Sequence, residues 1–298
     1  MNRFYLNECL GGDFACQDLA DALAKVVLAF ASLAKKQNLH VEKGWILEKE
    51  PNKIVLGGEK LSDILKCLQD RETKRLFYSY TLNYPVEDFF AAANVDELLQ
   101  ANYVFENNDA TNMVIVEKNG DTLLTFPVSD AVRQDWLTAK SDNQGFKDVR
   151  VLNLHGYSHN NEKAVGDELF RRNYAKAPCN INKLEYLAPR VIMSESFKKR
   201  FADAPLEHKR SIFERIDEVL ASNLLQPLQC NGTMIKHVAE HVAELRIVNP
   251  VDIRVYFHEK DDTLYFAKMA LKSEYVGKNA QDQDIQKSEE IIQLLMKN

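Results

Sequence analysis

The sequence predicts two folded parts of different class: a mixed α/β domain over residues 1–175, and an α+β domain over residues 190–298 in which a helix hairpin packs on an antiparallel sheet. Three observations carry this. The chain has 298 residues, more than one core usually serves, because domains run to roughly 100–200 residues. The stretch 175–189 has weak periodicity and holds Pro178 and Pro189 with Asn180 and Asn182 between them, the marks of a boundary. Beyond it, the spacing of apolar residues changes from the helical period of 3.6 to the strand period of two at about Ala243.

In the first part, Asp13 to Lys36 reads as a helix, because Leu19, Leu23, Val26, Val27, Phe30 and Leu33 recur at three- and four-residue spacing. Lys53 to Leu56 followed by Gly57-Gly58 reads as a short strand ending in a turn, and Lys60 to Tyr80 returns to helical spacing. Met113 to Phe126 reads as a β-hairpin: Val114-Ile115-Val116 and Leu123-Leu124-Thr125-Phe126 flank Asn119-Gly120, a dipeptide that tolerates positive φ. Asp148 to Leu154 is a strand candidate, and Asn161 to Tyr174 a helix.

In the second part, Ser194 is placed to cap a short helix with Phe197 and Phe201 inward, and Pro205 suits the first turn of a second helix reaching about Ser222. Ala243, Leu245 and Ile247 then alternate with Glu244 and Arg246, as Ile253, Val255 and Phe257 do with Arg254, Tyr256 and His258. A third strand runs from Thr263 to Leu271, and Gln281 to Met296 closes with a helix.

Composition narrows the function classes. With 45% hydrophobic and 28% charged residues, the chain is not collagen-like, low-complexity or wholly disordered. Its net charge of −6 advertises no general affinity for nucleic acid, so any such contact needs a local patch. The five cysteines, Cys9, Cys16, Cys67, Cys179 and Cys230, form no C-x2-C pair; neither a disulfide framework nor a metal site is expected, and a reducing cytoplasm fits. Val26 to Ala34, the longest apolar stretch, is far short of the roughly 20 residues that span a bilayer, and no cofactor motif occurs. Gly57-Gly58 lacks the remaining glycines and the lysine of a phosphate loop. His237 and His241, and likewise His155 and His159, stand four apart; on a helix such pairs share a face as metal ligands do, but surface or core histidines are the simpler reading.

The strand alternation sets Arg246, Arg254, Tyr256 and His258 on the sheet face opposite the apolar set. Two guanidinium groups beside a phenol and an imidazole suit phosphate binding, base stacking and proton transfer. The alternative is an ordinary solvated face.

Residues 190–290 resemble the RelE/HigB-like toxins of bacterial toxin–antitoxin systems. The likeness rests on Lys236-His237-Val238, Glu244-Leu245-Arg246, Ile253-Arg254-Val255-Tyr256-Phe257, Leu264 to Lys272 and Asp284-Ile285 before a helix, in the order helix, helix, strand, strand, strand. The resemblance implies a ribosome-dependent mRNA endoribonuclease, with ribosome-bound message as substrate and a cognate antitoxin as partner. Relatives of this fold that inhibit DNA gyrase, or an inactive module that binds protein, are the alternatives. It also implies site residues: Arg254 against the substrate phosphate, Arg246 at a second recurrent position, Lys272 with Lys268 as competing cations, and Tyr275 or His258 for proton transfer. Tyr256, Lys268 and Lys278 are then the RNA contacts. The lysine pair after the last strand is incomplete, since Ser273 follows Lys272, and residues 191–298 hold 15 Lys+Arg against 17 Asp+Glu, whereas RNA-cutting members are usually basic. Residues 1–175 match no family motif.

Overall fold

The computed structural model describes residues 1–89, 95–222, 234–249, 251–276 and 279–297. The backbone divides into two units, Met1–Leu169 and Phe170–Asn298. The division falls upstream of residue 175, so the proline-bearing stretch 175–189 lies in the second unit, where Leu184, Leu187 and Ala188 are core residues.

In chain order, the first unit runs β1 (Asn2–Leu6), α1 (Cys16–Lys35), β2 (Val41–Ile46), β3 (Val55–Leu56), β4 (Glu59–Lys60), α2 (Leu61–Cys67), α3 (Arg71–Tyr78), β5 (Thr81–Asn83), α4 (Val95–Ala101), β6 (Tyr103–Phe105), β7 (Asn108–Asp109), α5 (Thr111–Lys118), β8 (Thr122–Leu124), β9 (Trp136–Ser141) and β10 (Val149–Leu154), and α6 (His159–Lys176) carries the chain out of it. Eight strands form one sheet in the order β5-β2-β1-β8-β10-β9-β6-β7. The pairings from β5 through β10 are parallel and those from β10 to β7 antiparallel. Helix α1 forms where the apolar spacing predicts it and buries Leu19, Leu23, Val26, Val27, Phe30 and Leu33. Its Phe30 meets Phe4, Trp45 and Tyr80 edge to face, geometry that aromatic quadrupoles favour. Gly57 and Gly58, both at positive φ, make the two-residue turn between β3 and β4.

The hairpin expected at Asn119-Gly120 is not there. Thr111–Lys118 is helical, and Gly120 (φ 72°) ends the helix. Gly120 N donates to Glu117 O and Asp121 N to Val116 O, the Schellman pattern, which needs the same left-handed residue that a hairpin turn does. Val114, Ile115 and Val116 are buried on successive positions, a pattern that gives no period to choose by.

The second unit runs α7 (Ile181–Leu184), β11 (Arg190–Met193), α8 (Glu195–Asp203), α9 (Leu206–Ser222), β12 (Ile235–Ala239), β13 (Val242–Ile247), β14 (Ile253–Lys260), β15 (Thr263–Leu271) and α10 (Ala280–Lys297). Ser194 Oγ accepts from Phe197 N and so caps α8. The five strands order as β11-β15-β14-β13-β12, with β11 parallel to β15 and the others antiparallel. Strands β11 and β12 extend the three that periodicity showed, and His237 sits on β12, which removes the shared helical face with His241.

One sheet face carries Leu245, Ile247, Ile253, Val255, Phe257 and Phe266 in the main core with Phe197, Phe201, Ile212, Phe213 and Ile216 of the helices. The other face, expected open, is covered by α10. Ile292 is fully buried in a second cluster with Val242, Tyr256, Ala267 and Ala270. Among the described residues, no helix is long and apolar enough to cross a membrane.

Candidate functional site

Alternation puts Arg254 opposite Ile253, Val255 and Phe257, as the sequence predicts, but it does not face solvent. Its side chain is 9% exposed, and its Nε lies 2.7 Å from Glu244 Oε1. Its Nη1 also pairs with Asp252. Register explains the first contact: Arg246 stands opposite Arg254 and Glu244 opposite Tyr256 on adjoining strands, so Glu244 and Arg254 are diagonal neighbours within side-chain reach. Arg246 Nε donates to the same Glu244 oxygen at 2.9 Å, and Gln281 of α10 reaches Glu244 Oε2 at 3.4 Å. Glu244 has no exposed side-chain surface. Glu244 thus lies against two guanidinium groups: Arg246 hydrogen-bonds it, and Arg254 Nε meets it as an ion pair without hydrogen-bond geometry.

The remaining candidates follow the same pattern. Lys268 pairs with Asp284 of α10. Lys272, with 58% of its side chain exposed, is 3.3 Å from Asp252 Oδ2. Tyr256, expected as a base-stacking surface, is fully buried, and its hydroxyl lies 2.8 Å from that of Tyr275. Burial first, and then the Tyr275 hydroxyl, raise the Tyr256 phenol well above its ordinary value; burial raises Tyr275 too. Neither phenol loses its proton near neutral pH. Beside them a groove of about 450 Å³ is lined by Arg200, Lys268, Glu274, Tyr275 and Asp284, and within it Arg200 pairs with Glu274 as Lys268 does with Asp284.

Arg246, Arg254 and Lys272 thus join Glu244 and Asp252 in one network, while Lys268 pairs with Asp284 and Tyr256 with Tyr275. His258 joins none of these. Its ring packs edge to face on His241 at 5.2 Å and near Tyr265 at 6.5 Å. Burial, then the neighbouring His241, His237 and Lys260, hold the His258 imidazole below its usual value. Lys278 lies outside the described residues. Among the described residues, no group of three or more His, Cys, Asp or Glu is placed to hold a metal ion. The sequence reading missed the acidic partners, Asp252 and Asp284 above all, because one falls in a turn and the other on a separate helix. Their only local signal is that acidic residues equal or outnumber the basic ones in this part of the chain.

The chain matches no family model, and no curated protein and no solved structure is detectably similar to it.

Proposed function

We propose that the second unit is a RelE/HigB-like module of toxin–antitoxin type in which the phosphate-handling cations serve the fold, and that it acts by binding a protein partner, an antitoxin or a regulator. The resemblance of the motifs and the order helix, helix, strand, strand, strand support the module. Glu244 carries the functional part of the reading. A phosphate competing for Arg254, the more deeply buried of the two arginines, must displace a carboxylate that has no exposed surface, a cost of several kcal/mol for a buried ion that loses its partner.

A second reading, the ribosome-dependent mRNA endonuclease, is favoured by Tyr275, which lines the groove, and by Lys272, whose side chain is largely exposed. In that reaction an RNA 2′-hydroxyl attacks the adjacent phosphate, and cations neutralise the charge that develops on the phosphoryl oxygens. Induced expression of the full chain in bacteria, with growth curves and mapping of transcript 5′ ends, separates the two. Unaltered growth and no new message ends support the binding module. Cleavage within ribosome-bound message that is lost in Lys272→Ala overturns it, and DNA damage without message cleavage would point instead to gyrase.

A further inference from the structure

The first unit has a cavity of about 240 Å³ that none of the sequence motifs marked. It lies at the carboxyl ends of β1 and β2, with Leu123 of β8 also in its lining. From β1 the chain moves outward through β2 to β5 on one side, while β8 and β10 lie on the other. This reversal leaves a crevice above the strand ends, the place where open parallel sheets bind ligands. The floor is apolar, formed by Leu6, Ile46, Met113 and Leu123, and the wall is polar, formed by Asn7, Glu8, Glu48 and Asn112.

Several of the polar groups have structural duties. Asn7 Nδ2 donates to Thr125 Oγ1 and its Oδ1 accepts from Cys9 N, which locks the turn after β1. Asp109 Oδ1 accepts from Thr111 N and Oγ1 at the start of α5. Cys9 donates to Asp109 O, and burial pushes its thiol up to about 12, so it is no nucleophile. Glu8, Glu48 and Asn112 are the other polar side chains of the wall. Glu8 and Glu48 come from the ends of adjacent parallel strands, and Glu8 Oε1 accepts from Glu48 N at 3.1 Å, which fixes the Glu8 carboxyl beside its neighbour.

We propose that this cavity binds a nucleoside, with Glu8 and Glu48 accepting the vicinal sugar hydroxyls and the base lying on the apolar floor beside Met113. Neighbouring carboxyls can each accept one hydroxyl of a vicinal diol, and a thioether makes favourable contact with an aromatic edge. Phosphate is disfavoured. The turn from Asn7 to Ala15 has no G-x-G-x-x-G pattern, with glycine only at Gly11-Gly12, and an anion would meet the carboxyls of Glu8, Glu48 and Asp109, with Lys49 Nζ 3.8 Å from Glu8.

Titration calorimetry of the full chain with adenosine, guanosine, cytidine and uridine tests this. At least one should bind. Its 2′,3′-dideoxy analogue should bind about tenfold more weakly or worse, because a site built to accept hydroxyls is left unpaired without them. Its 5′-monophosphate should be weaker than the nucleoside. Glu8→Gln and Glu48→Gln should each lose about tenfold; Glu48 is only partly buried, so its variant is a second, independent arm of the test. The proposal fails if none of the four binds at millimolar concentration, if the dideoxy analogue or the monophosphate binds as well as the nucleoside, or if Glu48→Gln is unaffected. It is independent of the reading of the second unit, which stands or falls on message cleavage.

Discussion

Glu244 has no exposed surface, and Arg254 and Arg246 both reach it; the three residues respond unequally to substitution. Arg254→Ala leaves the carboxylate with the half-exposed Arg246 alone. Breaking a buried pair typically costs about 3–5 kcal/mol, and with one partner kept, about 2–4 kcal/mol is expected for Arg254→Ala, read as a lower urea midpoint. Arg246→Ala should cost under about 1 kcal/mol, as for a pair near solvent. Alternation alone, which sets Arg254 on the face away from the core, would give its loss a cost under about 1 kcal/mol, as for a surface substitution. Glu8 makes a pH prediction. Burial, then the charge of Glu48, push its carboxyl up to about 7, above the unfolded value. The folded state therefore holds a proton that the unfolded chain has already lost, so stability is highest below about pH 4.5 for this group and falls as pH rises to 7. Thermal melts of Glu8→Gln should lack this fall and exceed the wild type by roughly 1–2 kcal/mol at pH 8, allowing for water at the rim.

At the scale of elements, α10 decides what the second sheet face can do. Ile292 is its anchor, fully buried against Val242, Tyr256, Ala267 and Ala270. Ile292→Ala should cost about 2–4 kcal/mol through lost burial and the cavity left behind, and should make the Tyr256 region quicker to exchange its amide hydrogens. In the first unit, α1 begins and α2 ends at a cysteine. Cys16 and Cys67 bring their sulfurs to 2.7 Å as free thiols. Diamide should take the two thiol hydrogens and join them as a disulfide, seen as a loss of about 2 Da and a tryptic crosslink between the two helices, absent in Cys67→Ser. Finding both thiols still alkylated after diamide would show that the helices hold them out of bonding geometry. Cysteine spacing in the sequence gave no sign of this pair, since 50 residues lie between the two positions.

For the whole molecule, the two units have separate cores and separate sheets. Substitutions in different units should act independently, adding to within about 0.5 kcal/mol. In a calorimetric melt of the full chain, Glu8→Gln should move one transition and Arg254→Ala the other, with the double variant showing both shifts. A single transition that responds to both would mean that the units unfold as one.

Local periodicity made α1, α8, α9 and the strands β13, β14 and β15 legible, because an amphipathic element writes its period into the residues that bury one face. It also ordered Arg246, Arg254, Tyr256 and His258 on one side of a sheet. It failed at Thr111–Lys118, where burial on all sides erases the period and Asn119-Gly120 serves a helix end as readily as a hairpin. What covers a sheet face, and which carboxylate meets which arginine, depends on segments far apart in the chain. Asp252, Gln281 and Asp284 reach their partners only once β13, β14, β15 and α10 have packed, and Glu8 meets Glu48 only when β1 and β2 lie side by side. The sequence by itself determined α1, α8, α9, β13, β14 and β15, their faces and a mixed class, since those follow from contacts between near neighbours. Only the tertiary structure decided that the arginine face is closed and that the first unit opens a cavity at its strand ends, because burial and charge pairing are properties of the assembled surfaces.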